Sequence, residues 1–149
     1  MKVAIDSSVL VGLINPCDLW RDKAIALRRA LLDHEAELYY FDCVVAESIS
    51  VVVGRLKEKG FLADVEVLFD QLSIRMPVTS ITWILPDVPH LYPEIINLIR
   101  SSTGALNFHD ALIVLTCRER EIPAIASFDA DFDQVTWLRR LTAPDDVVS

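Results

Sequence analysis

The sequence is poor in glycine and cysteine and has no long hydrophobic run, and each absence excludes a class of protein. Only four of the 149 residues are glycine while 52% are hydrophobic, which argues against a disordered or fibrous chain. No uninterrupted apolar stretch approaches the roughly 20 residues that a membrane-spanning helix needs. The first residues enter a strand-like segment without a basic and apolar leader. We therefore expect one domain over residues 1–149, in the cytoplasm and without membrane association.

The three cysteines are odd in number and widely separated, at Cys17, Cys43 and Cys117. This spacing indicates neither a disulfide framework nor a zinc–thiolate site. We expect all three to be reduced and buried as small hydrophobic side chains.

Basic residues are also scarce, because 14 Lys and Arg stand against 22 Asp and Glu, for a formal net charge of −8. This balance argues against a large non-specific nucleic-acid-binding surface, since contacts to phosphates rely on Lys and Arg. Two bound divalent cations would halve the negative charge and would themselves bind phosphate. A metal-dependent nuclease therefore stays compatible with the composition.

The hydrophobic pattern alternates strands with helices or helix pairs. Apolar and β-branched runs predict strands at residues 2–5, 38–41, 78–84 and 124–127, and allow a short edge strand at 136–138. Helical spacing predicts helices at residues 9–14, 20–32, 43–59, 61–72, 92–100 and 107–121, with a frayed tail from 143. This alternation predicts an α/β fold whose central, mostly parallel sheet of four to five strands is flanked by helices.

Asp6 directly follows the first predicted strand and precedes two serines. In open parallel sheets, ligands bind in crevices outside the carboxyl ends of the strands, so this acid is well placed for chemistry. Asp6 or Ser7 is equally suited to cap the helix that follows. The other acids decide between these interpretations.

Glu47 lies one turn into the third predicted helix, where nearly every neighbour is apolar or small. Burying a lone carboxylate there is costly unless a cation or hydrogen-bond donor compensates. The alternative is a glutamate that pairs with an arginine or lies at the rim of the helix.

Asp110 and the segment from Ser127 to Asp131 supply the remaining acids. Asn107 and Asp110 have the spacing of a capping box, a role that is compatible with a second role at the edge of the sheet. Asp129 and Asp131 follow the fourth strand, although Asp-rich turns also arise for conformational reasons.

These acids fall at three strand ends and at the start of one helix, so they can converge on one edge of the sheet. Clustered carboxylates stay ionised most readily around hard divalent cations that prefer oxygen ligands, such as Mg2+ or Mn2+. No histidine or cysteine joins the pattern, which argues against zinc.

The chain resembles the PIN-domain nucleases, particularly the small VapC-type toxins of toxin–antitoxin pairs. Four motifs that span nearly the whole chain carry the resemblance: Ile5-Asp6-Ser7-Ser8-Val9-Leu10, Val45-Ala46-Glu47-Ser48, His109-Asp110-Ala111-Leu112-Ile113 and Ser127-Phe128-Asp129-Ala130-Asp131-Phe132. Each motif is short, and their order and spacing make the match specific. Ser127 replaces the threonine that often stands in the fourth motif and keeps its hydroxyl.

The resemblance implies a PIN-like three-layer sandwich and metal-dependent cleavage of RNA, with an antitoxin and a homodimer as expected partners. It implies that the catalytic and metal-binding acids are Asp6, Glu47, Asp110 and Asp129, with Asp131 as an auxiliary metal-binding acid. Ser7, Ser8 and Ser127 would orient a carboxylate or a metal-bound water, or serve only as caps and turns. Candidate substrate contacts are Arg55, Lys57, Lys59, Arg118 and Arg120, each of which is also an ordinary exposed cation.

Other α/β classes with acids at strand ends fit less well. A receiver domain needs an acidic pair after its first strand and a late lysine, but serines follow Asp6 and no lysine occurs after Lys59. A haloacid-dehalogenase-type phosphatase needs a second acid where Ser8 stands. The remaining alternative is a PIN-like module with weak or no catalysis, in which the helices at 43–59 and 61–72 form a groove for an antitoxin or a second copy.

Overall fold

The computed structural model describes residues 1–148 and has a five-stranded, entirely parallel sheet at its centre. The strands are β1 (Lys2–Ile5), β2 (Glu37–Phe41), β3 (Ile81–Thr82), β4 (Ala124–Ala126) and β5 (Arg139–Leu141), and their order across the sheet is β3-β2-β1-β4-β5. The helices are α1 (Ser7–Ile14), α2 (Arg21–Asp33), α3 (Asp42–Glu58), α4 (Leu62–Arg75), α5 (Val88–Ser101), α6 (Phe108–Glu119) and α7 (Pro144–Val148). The predicted α/β architecture is confirmed.

The two central strands, β1 and β4, consist of small and branched apolar side chains because helices cover both faces of the sheet. Val3, Ala4, Ile5 and all of β4 are almost fully buried. From β1 the chain runs outward through β2 and β3, and it then returns to the other side of β1 with β4. The space between the carboxyl ends of β1 and β4 is therefore the topological switch point, where such sheets bind ligands.

The third strand is shorter than predicted over residues 78–84. Val78–Ser80 forms a 3-10 turn, and only Ile81 and Thr82 pair with β2. The chain then leaves the sheet because the N–H groups of Ile84 and Leu85 donate to the buried carboxylate of Asp42.

The C-terminal segment differs from prediction in two respects. The edge strand lies at Arg139–Leu141 rather than at residues 136–138, since Arg139 to Leu141 are the residues that pair with β4. The predicted frayed tail instead forms α7, which packs against α2. The Asp146 carboxylate accepts hydrogen bonds from the N–H groups of Thr142 and Ala143 and so fixes the turn before this helix.

Helix α1 packs against both α2 and α3, and Gly12 permits the close approach to α2. A Cβ atom on Gly12 would lie 2.8 Å from the Cβ atom of Ala24, closer than side chains tolerate. The buried residues Val11, Val52, Leu56, Leu68 and Leu72 form a second small core between α1, α3 and α4. Within residues 1–148, none of the helices combines the length and the apolar composition needed to cross a membrane.

We predict that Gly12→Ala lowers the free energy of unfolding by about 1–3 kcal/mol, because the added methyl group overpacks the α1–α2 contact. The matched control is Gly54→Ala in α3, where an added Cβ meets nothing within 4 Å. This control should gain about 0.5–1 kcal/mol from its better helix propensity. Urea denaturation measures both changes, and equal effects of the two substitutions would contradict the packing argument.

Candidate active site

Asp6 lies at the switch point, held between the ends of β1 and β4. Its backbone N–H continues the β1–β4 ladder by donating to the carbonyl of Ala126. Its carboxylate is buried, and Oδ2 accepts hydrogen bonds from the hydroxyl of Ser8 at 2.6 Å and from that of Ser127 at 2.7 Å. Oδ1 receives only a 3.5 Å contact from Ser7. One carboxylate oxygen is therefore fixed, and the other keeps capacity for a ligand.

The two serines that bind Asp6 also hold the loop after β4. The Ser8 hydroxyl accepts the N–H of Phe128 at 2.9 Å, and the Ser127 hydroxyl accepts the N–H of Asp129 at 3.0 Å. Each hydroxyl thus donates to Asp6 and accepts from the backbone. Asp6 also caps α1 through the N–H of Ser8, so the capping and site interpretations of this acid are compatible.

The four acids of the sequence motifs line one cleft of about 330 Å³ next to Asp6. Glu47 reaches it from α3, Asp110 from the first turn of α6, and Asp129 from the loop after β4. The other lining residues are Ser7, Ser8, Val11, Asp18, Trp20, Val51, Arg55, Asn107 and Phe128. No three histidine, cysteine or acidic side chains within residues 1–148 form a ready-made ligand set for a metal ion.

The pKa of Asp110 is shifted by the environment of this cleft. Burial, together with the negative charges of Asp6, Asp129 and Glu47, raises the pKa of its carboxyl group to about 6, although a hydrogen bond from the N–H of Asn107 acts in the opposite direction. The predicted capping box is present, since Asn107 and Asp110 each accept the other's backbone N–H. The same acid therefore caps α6 and feels the other three acids.

Glu47 and Asp131 differ in how they relate to the cleft. Glu47 is half-buried and forms no ion pair with Arg55, which instead pairs with Asp18. Asp131 is exposed and is absent from the cleft lining, and its N–H donates to the Asp129 carboxylate. Its role as an auxiliary ligand stays a prediction.

Sequence reasoning missed two residues that line the cleft, Asp18 and Trp20. Asp18 and Trp20 come from the loop between α1 and α2, and the Trp20 ring stacks on Phe128 with a centroid distance of 5.2 Å. No local pattern marks these residues, because the loop has no periodicity and the ring contact spans more than a hundred residues. Cys17 in the same loop is exposed, contrary to prediction, whereas Cys43 and Cys117 are buried.

Fold and site together define an α/β protein with an acidic cleft at the switch point of a parallel sheet. A sequence profile described as PIN domain matches residues 3–138, and the chain belongs to this family. Among solved structures, the chain is similar to the crystal structure of VapC20 of Mycobacterium tuberculosis, described as a sarcin–ricin loop cleaving toxin. That match has a TM-score of 0.65 and 18% identity over 91% of this chain and 95% of the other, which establishes the fold. No curated protein sequence matches the chain significantly.

We predict that ionisation of Asp110 makes the metal-free protein less stable as pH rises. The folded protein holds this proton more tightly than the unfolded chain, so stability falls as pH increases from 3.8 to about 6. Asp110→Asn keeps an acceptor for the Asn107 N–H and should reduce this loss of melting temperature by about 3 °C, the effect of ~1 kcal/mol in a domain of this size. The measurement is thermal unfolding in EDTA across this pH range.

The control for this prediction is Asp131→Asn, which removes an exposed acid outside the cleft and should preserve the wild-type pH dependence. If Asp110→Asn follows the wild-type pH curve, the raised pKa assigned to Asp110 is wrong.

Proposed function

We propose that this protein is a Mg2+- or Mn2+-dependent endoribonuclease that acts as the toxin of a toxin–antitoxin pair. The observation that carries the proposal is the convergence of Asp6, Glu47, Asp110 and Asp129, from four separate segments, on one cleft of a PIN-domain chain. The RNA-cleaving activity in the description of VapC20 supports RNA as the substrate class.

The donor set of the cleft fits a hard divalent cation. The four acids offer only carboxylate oxygens, which Mg2+ and Mn2+ prefer. Oδ1 of Asp6 keeps lone pairs for such an ion. Burial is the main cause of the raised pKa of Asp110, the charges of Asp6, Asp129 and Glu47 add to it, and a cation would relieve that repulsion. Because the acids form no ready-made ligand set within the described residues 1–148, ion binding has to reorient side chains.

In this proposal the residues of the cleft divide the work of phosphodiester hydrolysis. Asp6, Glu47, Asp110 and Asp129 would hold divalent ions, which when bound would activate a water and stabilise negative charge on the phosphate. Ser8 and Ser127 orient Asp6, and the stacked Trp20–Phe128 pair lines the cleft beside the acids.

We predict that Asp6→Asn and Asp110→Asn each reduce cleavage of labelled RNA in Mn2+ by at least about 100-fold. Losing a residue that hydrogen-bonds a metal ligand costs up to about 100-fold, and losing the ligand itself should cost at least as much. EDTA should abolish wild-type cleavage. The control is Asp70→Asn, which removes an exposed acid of α4 far from the cleft lining and should leave cleavage unchanged. Wild-type cleavage that survives EDTA would exclude the proposed chemistry.

A protein-binding role is the second candidate, and a groove on another face favours it. The groove encloses about 580 Å³ and is lined by apolar side chains of α1 and α2 together with Tyr40 and Met76. Four arginines and one acid join this lining, on a protein whose net charge is −8: Arg21, Arg28, Arg29, Arg75 and Asp33. The groove lies beside α2, α1 and the end of α4, whereas the groove expected at the helices 43–59 and 61–72 stays a prediction.

We infer that the occupant of this groove is an acidic amphipathic helix of an antitoxin. Apolar side chains of such a helix would cover the exposed Ile25 and Leu32, and its carboxylates would pair with the arginines. Arg28 and Arg75 make no ion pair with another residue in the described part of the chain. A homodimer, in which a second copy covers the same groove, is the alternative occupant.

We predict that a synthetic helical peptide with leucine on one face and glutamate on the other binds the protein, whereas its lysine counterpart does not. Arg28→Glu and Arg75→Glu should each weaken binding by about tenfold, because an attractive charge pair becomes a repulsive one. Arg100→Glu on α5, outside the groove, is the control. Calorimetric titration measures the affinity of each peptide. Equal binding of the two peptides would contradict an acidic helix as the occupant of the groove. A homodimer detected by sedimentation that does not bind the peptide would contradict it as well.

A further inference from the structure

Arg55 is the one basic side chain that lines the acidic cleft within the described residues 1–148. It lies on α3 two turns beyond Glu47, with Val51 between them on the same face. The Arg55 side chain is half-exposed, so its guanidinium group is accessible from the cleft. Five carboxylates share the lining with it, contributed by Asp6, Asp18, Glu47, Asp110 and Asp129.

The partner of Arg55 is Asp18, whose position is set independently of the arginine. Oδ2 of Asp18 lies 2.5 Å from the Arg55 guanidinium, and its side chain is 5% exposed. Oδ1 of Asp18 accepts the backbone N–H of Trp20 at 2.8 Å, which anchors the carboxylate in the loop between α1 and α2. The loop therefore presents a fixed anionic group to the one arginine of the cleft.

The other cations near the candidate substrate surface are less suited to hold RNA in the cleft. Arg118 pairs with Glu94, and Arg120 lies 3.4 Å from Asp87, both outside the cleft lining. Lys57 and Lys59 are exposed at the end of α3 and also lie outside the lining. Of the five cations proposed from the sequence as substrate contacts, Arg55 alone lines the cleft.

A carboxylate and a phosphate present similar oxygen pairs to the planar guanidinium fork. The Asp18 carboxylate therefore occupies the site on Arg55 that a backbone phosphate of RNA would take. The Arg55 side chain is 50% exposed, so a phosphate can reach its guanidinium group from solvent. The Asp18 side chain is only 5% exposed, so the exchange leaves a buried carboxylate without its charge partner, and phosphate binding has to offset that cost.

We propose that Arg55 binds an RNA phosphate next to the scissile one, and that Asp18 holds Arg55 in place until the phosphate displaces it. This inference rests on the proposed ribonuclease function and extends it with a substrate-binding residue and an internal competitor. After the exchange Asp18 still accepts the Trp20 N–H, so the loop keeps its conformation.

The test measures RNA binding and cleavage by Arg55→Gln, Asp18→Asn and the double variant. Binding of a labelled single-stranded RNA is measured with Mn2+ in the cleavage-impaired Asp110→Asn background at several salt concentrations. Arg55→Gln should weaken binding about tenfold and lower the slope of log affinity against log salt by about 0.7, the value of one phosphate contact. In the active background its KM should rise with little change in kcat.

Asp18→Asn keeps the oxygen that accepts the Trp20 N–H and releases Arg55. It should tighten RNA binding by at least about two- to fivefold, because the competing pair is exposed on the arginine side but buried on the Asp18 side. The double variant should bind like Arg55→Gln alone, since the gain acts through the arginine. Arg55→Lys keeps the charge and should restore the salt slope, which separates phosphate binding from a structural role.

The matched control is the pair Arg118–Glu94, which has the same 2.5 Å separation and a similarly exposed arginine but lies outside the cleft. Arg118→Gln and Glu94→Gln should leave affinity and salt slope unchanged. An unchanged slope in Arg55→Gln, or a gain from Asp18→Asn that persists without Arg55, would overturn this inference alone while metal-dependent cleavage remains. A wild-type protein that neither binds nor cleaves RNA would overturn the ribonuclease proposal as well.

Discussion

The hydrogen bonds between the Asp6 carboxylate and the hydroxyl groups of Ser8 and Ser127 are the interaction on which the site depends. They join the first turn of α1 to the end of β4, two segments that are far apart in the chain. Because both hydroxyls also accept backbone N–H groups of the following loop, the position of Asp129 is set by the same network. One buried carboxylate thus organises the switch point of the sheet.

The acids that give the cleft its capacity to bind a cation also lower the stability of the metal-free protein. Burial and neighbouring acids raise the pKa of Asp110, so the ionised cleft is strained by charge repulsion in the absence of a cation. By contrast, the buried Asp42 is satisfied by three backbone N–H groups and has a purely structural role at the end of β3. The difference between these two acids is whether the fold itself supplies the compensating donors.

Much of the fold was predictable because its signals are local. Apolar runs identified β1, β2 and β4, and the Asn107–Asp110 spacing predicted the capping box that the structure contains. The predictions failed where a long-range contact decides the outcome. Asp42 ends β3 early by accepting the N–H of Ile84, which is 42 residues further along the chain, beyond α3 and α4. Packing against α2 stabilises the short α7, a segment that the local pattern predicted to be a frayed tail.

The sequence by itself determined the parallel α/β architecture and the identity of the four candidate acids, because strand ends and helix starts are encoded within a few residues of each acid. Only the tertiary structure decided that these acids share a cleft with Trp20 and Phe128, that Asp131 lies outside it, and that Arg55 pairs with Asp18. These relations depend on how distant segments meet across the sheet. No pattern within one segment carries that information.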